Sequence, residues 1–376
     1  MMKKFLACAL GAIMLITSLA ACGEAPTADP SPSPSASPAS SADVEYDWAS
    51  AYAKYPADTV VLSVNGEDVT WDEYFYWLYS EYVQNVSGMA MDVMLNGVMT
   101  VSEYLRQDVE NFCVQYRVLN QQAAANSIEL TEDDQKVLDE QLQSDIDSLV
   151  GEDGTEEELY DYLATIYVTP EIYEYINRMM VLYPRVFIEM YGQNGEKLTD
   201  EEVMAFADEY SFMTAKHILF RNTDDEGNEL SEEEMSSKLE QANELVSELR
   251  AVPEAEREAL FDQMMNEYSE DPGLANYPDG YCFEPGVVVQ EFSDGVAALE
   301  EGGISDVVES SSGYHILMRE PVTPDDLVLL GTAQPYTLRY AAAVMDYNTT
   351  FTGWTDSAEV VYADEFADFE PAQLFE

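Results

Sequence analysis

Residues 310–320 read SSSGYHILMRE, and residues 214–220 read TAKHILF. The chain has 376 residues but only two histidines, one in each stretch, and each is followed by Ile-Leu. Both stretches carry the short apolar run of a buried strand. The question that decides the fold is why the only two imidazoles of the chain open two look-alike strands.

The surroundings of the two strands are consistent with one module. A period-two strand begins near Phe212. Helices are predicted over 231–250 and 254–268, a strand over 281–283, a helix over 289–300, and two strands around a short turn up to Glu320. At roughly 110 residues, this is a comfortable size for one domain.

Upstream, the pattern changes. Residues 58–70 read DTVVLSVNGEDVT, an apolar run before an Asn65-Gly66 turn. From Thr70 to about Tyr210, helix starts recur. Capping boxes, in which a hydroxyl is followed three residues later by Glu, are predicted at Thr70/Glu73, Thr100/Glu103, Thr155/Glu158, Thr199/Glu202 and Ser231/Glu234. Thr169-Pro170 is another helix start. The helix after Thr70 places Trp71, Phe75, Leu78 and Tyr82 on one face, with Tyr74, Trp77 and Tyr79 around it. Such a surface either packs in a core or lines a groove for unfolded chains. The methionines of SGMAMDVMLNGVM leave the same two readings open. After Pro321, Leu338 to about Trp354 reads as a helix, and YADEFADFE as a solvated acidic tail.

Composition narrows the partners. The chain has 16 basic and 74 acidic residues, a net charge of -58. Phosphate backbones need a basic face, so no nucleic-acid partner is expected. The balance fits a self-repelling surface in an ion-rich exterior, or one that attracts basic partners or cations.

The first residues, MMKKFLACALGAIMLITSLAAC, form a positive n-region and an apolar stretch from Phe5 to Ala21, which is an export signal. The junction Leu19-Ala20-Ala21-Cys22-Gly23 resembles a bacterial lipobox, which implies lipidation of Cys22 and anchoring to the outer face of the cell membrane. EAPTADPSPSPSASPASSADVE follows as an extended tether. At about 3 Å per residue, it would lift the body about 60 Å. Of the remaining cysteines, Cys113 and Cys282 lack a metal-type spacing. A disulfide is allowed between them, and buried free thiols are equally so.

The order AKHIL, YSEDP, EPGVVVQEF, SSGYHI resembles the parvulin peptidyl-prolyl isomerases, most specifically over 214–320. The whole layout resembles the parvulin-type foldase lipoproteins of the PrsA/SurA kind. The resemblance implies an α+β protein: a helical chaperone domain completed by a C-terminal helix, plus a parvulin-like domain with a small, mostly antiparallel sheet flanked by helices. It divides the chain into a signal peptide (1–22), a tether (23–43), a helical domain (44–210), an isomerase domain (211–321) and a returning helix with tail (322–376).

By the same resemblance, the facing histidines are His217 and His315, the serine before the second is Ser312, and the cysteine-or-aspartate position is Asp271. The proline pocket falls to Phe292 and Val288. Where the family often reads Gly-Gly-Asp-Leu-Gly, this chain has Tyr277-Pro278-Asp279-Gly280-Tyr281, so the leucine wall is absent unless Tyr281 supplies it. The acidic loop FRNTDDEGNE argues against phosphorylated substrates. The implied partners are unfolded or newly exported polypeptides. No cofactor is required, and two histidines lack convincing further ligands for a metal. A lipoprotein chaperone with a degenerate, non-catalytic module is the alternative. A solute-binding lipoprotein is a third reading, opposed by the absence of two α/β lobes.

Overall fold

The computed structural model describes residues 44–329 and 335–376. The expected export signal, Cys22 and the tether lie outside the described residues. The chain divides into two compact units, Met1–Glu189 with Tyr347–Glu376, and Met190–Asp346.

In the first unit, α1 (Trp48–Tyr52) precedes a hairpin of β1 (Val60–Val64) and β2 (Glu67–Thr70). Then come α2 (Trp71–Asn85), the short hairpin β3 (Met94–Leu95) and β4 (Met99–Thr100), α3 (Val101–Ala125), α4 (Glu132–Leu149), α5 (Glu156–Ala164) and α6 (Pro170–Tyr191). The aromatic faces of α2 are core. Trp71, Tyr74, Phe75, Trp77 and Leu78 are wholly buried, and Trp77 stacks on Phe112 of α3 at 4.8 Å. The groove reading of this helix is thus not what its aromatics form. In the methionine stretch, Met91 is buried whereas Met94 and Val98 at the β3–β4 hairpin are exposed.

Capping boxes form at Thr100, Thr155, Thr199 and Ser231, each with its Glu, and also at Thr131 with Asp134. Thr70 is the exception among those predicted, with no side-chain cap bond. Its hydroxyl donates to Asp72 at 2.5 Å, while Glu73 turns inward to Arg117 at 2.6 Å. A buried ion pair between helices outcompetes the local box, because charge-assisted bonds away from water are the stronger ones.

The acidic tail is not solvated as a whole. β11 (Val360–Tyr362) pairs antiparallel with β1, Leu62 opposite Tyr362. Phe366 and Phe369 are buried against Trp71, while Asp364, Glu365 and Asp368 face solvent. Aromatics three residues apart among acids give the segment one apolar side, and that side docks.

The second unit is built on a six-stranded sheet ordered β10-β9-β6-β5-β8-β7. Its strands are β5 (Met213–Arg221), β6 (Tyr281–Phe283), β7 (Val308–Ser310), β8 (Gly313–Glu320), β9 (Leu327–Val328) and β10 (Tyr336–Thr337). All neighbours pair antiparallel except β6 with β9. The fold is α+β with a small, mostly antiparallel sheet. Even-numbered residues of β5 and β8 (Ile218, Phe220, Ile316, Met318) pack on α8 (Glu232–Ala251) and α9 (Glu254–Tyr268). Odd-numbered ones (Met213, Ala215, Leu317) pack toward α10 (Gln290–Ala297), through Phe292 and Val296. Cys113 and Cys282 are both buried free thiols.

This unit is wider than the 211–321 that the resemblance implies. α7 (Asp200–Glu209) and the start of α11 (Leu338–Asp356) belong to it. Val203, Ala207, Cys282, Val328, Leu338 and Ala342 form one buried cluster, so the flanking segments complete the core behind β6 and β9.

Candidate active site

β5 and β8 pair with Leu317 opposite His217 and His315 opposite Leu219. The two histidines therefore sit diagonally on the same sheet face. Diagonal neighbours stand about 7–8 Å apart at the backbone, within reach of two rings. His217 Nδ1 lies 3.2 Å from His315 Nδ1, and the ring planes are within 15° of parallel. Both imidazoles are buried.

Asp271 is brought to this pair by the loop after α9. Glu270 N donates to Leu219 O at 2.8 Å, and Leu219 N donates to Ser269 Oγ at 3.1 Å, which ties the loop to β5 beside His217. His217 Nε2 then lies 3.0 Å from Asp271 Oδ2. The same oxygen accepts from the Tyr281 hydroxyl at 2.6 Å, and Asp271 Oδ1 accepts from Gly273 N at 3.1 Å. Burial by itself raises a carboxyl, but here the bonds from His217 and Tyr281 and the His217 charge outweigh it and hold Asp271 at about 2. His315 is pushed down to about 4, first by burial and then by the neighbouring His217 charge.

The bonds have a direction. Ionised Asp271 only accepts, so His217 Nε2 carries a proton and donates. With both rings neutral, His217 Nδ1 accepts from His315 Nδ1–H, and His315 Nε2 accepts from the hydroxyl 2.8 Å away. That hydroxyl belongs to Ser310. A single added proton placed on His217 reverses the rest of the chain: His315 Nδ1 then accepts and Nε2 donates to Ser310.

Ser312, the serine singled out by the resemblance, is exposed in the turn and does not reach His315. Its backbone N donates to Ser310 Oγ at 3.0 Å. The hairpin register explains the exchange. Val308 stands opposite His315 and Ser310 opposite Gly313, so Ser310 shares the face of His315 while 311 and 312 make the turn. The signal was present in the sequence as three consecutive serines, but only the register selects among them.

Phe292 meets both imidazoles edge to face, 5.2 Å from His217 and 5.5 Å from His315 by ring centroids. It is only 3% exposed, so it backs the imidazoles more than it lines an open surface. Val288 is partly buried against the same cluster, and its neighbours Val287 and Val289 are exposed. Tyr281, expected as a pocket wall, lies on β6 with its ring 5.4 Å from His217 and its hydroxyl on Asp271. The arrangement is thus a line of donors and acceptors, Ser310–His315–His217–Asp271–Tyr281, beside an apolar surface of valines over Phe292.

Residues 217–320 match the rotamase family described as the PPIC-type PPIASE domain. "Foldase protein PrsA" of Halalkalibacterium halodurans is 30% identical over 211 residues, covering 54% of this chain and 54% of that protein. "Foldase protein PrsA" of Clostridium perfringens is 24% identical over 270 residues, covering 69% of this chain and 72% of that one. The chain spans about half the length of the first curated relatives it matches. The solved structure of the peptidylprolyl isomerase PrsA from Bacillus cereus is 19% identical, covers 68% of this chain and 78% of that one, and overlays with a TM-score of 0.26.

Proposed function

We infer, for a chain that belongs with the parvulin-type, PrsA/SurA-like foldases, that it catalyses cis/trans isomerisation of X-Pro bonds in unfolded or newly exported polypeptides. The observation that carries the reading is the buried His217–His315 pair at 3.2 Å, ended by Asp271 and backed by Phe292.

The chemistry asks for little. Conjugation of the C–N bond sets a rotational barrier of about 18–20 kcal/mol. Before proline, the two isomers are close in energy yet exchange over tens of seconds or more. A catalyst has only to favour the twisted amide, in which conjugation is lost. Val288 and its exposed neighbours Val287 and Val289 offer an apolar seat for the ring over the buried Phe292 and displace water from the amide. The imidazole line holds Asp271 and the Ser310 hydroxyl in place beside it. The histidines organise the site without passing protons to the substrate, and no covalent intermediate forms.

The reading extends to a holding role outside the cytoplasm. Among the described residues, no helix is long and apolar enough to cross a membrane. In this reading, residues 1–22 direct export, a lipid on Cys22 anchors the protein, residues 23–43 act as tether, and the helical domain holds clients while the isomerase works. Loss of membrane fractionation in a Cys22→Ser variant would support the anchor; unchanged fractionation removes it.

A protease-coupled prolyl-peptide assay tests the enzyme. The intact chain should exceed the uncatalysed rate. Asp271→Ala and His217→Ala each remove a bond to a charged group worth about 1.5–3 kcal/mol, so each should lower kcat/KM by about 10–100-fold. If the intact chain and both variants all run at the uncatalysed rate, the enzymatic reading fails.

A further inference from the structure

We propose that Tyr281 is a positioning residue that fixes the Asp271 carboxylate against His217, and that Gly273 is the slot that admits its hydroxyl. The inference rests on the isomerase reading of this site and assigns it a part beyond the family's pattern.

Tyr281 pairs with Ala215 across β5–β6, which puts it on the sheet face that carries His217, one strand over. Its ring is held by Tyr277 at 4.9 Å and by His217 at 5.4 Å. From there the hydroxyl donates to Asp271 Oδ2, the oxygen that His217 Nε2 also meets. With Gly273 N on the other oxygen, the carboxylate has three donors from three directions. A carboxylate on two free torsions has many orientations, and three fixed donors leave it one. Remove the phenolic donor and the loop still reaches β5 through Glu270, but the carboxylate is free to rotate off the imidazole.

Gly273 supplies the second, independent observation. A methyl group built on it would overlap the Tyr281 hydroxyl and come within 3.4 Å of Asp271 Oδ1. Its φ lies outside the left-handed region, so the backbone does not call for glycine here. The space is taken by the phenol. Position 273 is therefore small because position 281 reaches across it.

The test uses the full chain with 15N-labelled histidine. With only two imidazoles, all four ring nitrogens are assignable. In the wild type at neutral pH, His217 should report a single tautomer protonated at Nε2. Tyr281→Phe keeps the ring and removes the hydroxyl, so His217 should shift toward a mixture of tautomers. The acid limb of the kcat/KM profile should move up by about half a pH unit to one unit, because a carboxylate that loses a donor is easier to protonate. Gly273→Ala should produce the same signature. The Tyr281→Phe, Gly273→Ala double variant should lose less than the two single losses added, since the methyl then meets only the ring edge, 3.1 Å away, and no hydroxyl. Unchanged His217 nitrogens in Tyr281→Phe, or losses that add in the double variant, overturn the proposal. A wild type without isomerase activity would sink the functional reading, while the ring-nitrogen spectra would still decide the role of Tyr281.

Discussion

Each unit of this molecule buries a carboxyl group, and the two meet opposite fates. Asp271 in the second unit is surrounded by donors and is held at about 2. Glu81 of α2 in the first unit is pushed up to about 7, first by burial and then by the charge of Asp108 on α3. Asn85 donates to Glu81 at 2.7 Å and the Tyr104 hydroxyl at 3.1 Å, but these bonds do not offset burial and the neighbouring Asp108. Burial alone therefore does not say whether a carboxyl is charged. The partners tip the balance: donors keep Asp271 ionised and acceptor-only, whereas for Glu81 the Asp108 charge adds to burial and raises it further.

The largest expected effect comes from turning a satisfied carboxyl into an unsatisfied one. Glu73, 6% exposed, depends on Arg117, which also donates to the Tyr175 hydroxyl at 2.6 Å and to Asp68 O. Arg117→Ala strands that charge. Stranding a buried charge costs about 3–5 kcal/mol, and a cavity of about 410 Å³ beside Arg117 and Glu73 admits water, which favours the lower end. Chemical denaturation should show a loss near 3 kcal/mol. A loss below about 1 kcal/mol would mean that Glu73 simply takes up a proton once Arg117 is gone.

Next comes the response to pH, where the two units should diverge. The folded value of Glu81 is raised from the usual 4.5 to about 7, so the folded state holds its proton more tightly than the unfolded one. Its stabilisation is full below about 4.5, declines as pH rises toward 7 and is gone above it, a change of about 1–3 kcal/mol. For Asp271, lowered from 3.8 to about 2, the sign is reversed: its contribution is full above about 4 and is lost as pH falls through 2. Melting temperatures should therefore fall between pH 5 and 8 in the wild type, and Glu81→Gln should flatten that slope. A Gln variant with the wild-type slope would place the titrating group elsewhere.

The smallest effect tests the far end of the donor line. Ser310→Ala removes the hydroxyl on His315 Nε2 and should lower kcat/KM by about 3–10-fold, the worth of one hydrogen bond. Ser312→Ala should change neither activity nor stability by more than about 0.5 kcal/mol, since its side chain is an exposed turn group. Equal losses from the two would mean that the turn, and not the line of bonds, matters.

These contrasts also mark how far the chain could be read unfolded. Capping boxes at Thr100, Thr155, Thr199 and Ser231 were legible because both partners lie within three residues. Thr70 was not, because Glu73 finds Arg117 on another helix. The tail misled for a related reason. Its acids dominate composition, while Phe366 and Phe369 have value only once Trp71 is there to receive them. In the site, the expectation of two facing imidazoles came from the motifs that resemble the parvulins, since alternation within β5 and β8 does not by itself make the two strands neighbours.

What the sequence determined by itself was local or periodic: most helix starts, the order of strands and helices in the second unit and the two look-alike His-Ile-Leu strands; the α+β class and the facing histidines came through the resemblance to the parvulins. Only the tertiary structure decided which serine meets His315, where Tyr281 points its hydroxyl, where the second unit ends and whether a buried acid keeps its charge. The reason is reach. A bond between near neighbours is written into a few consecutive residues, whereas a carboxyl is charged or neutral according to groups that arrive from dozens of residues away.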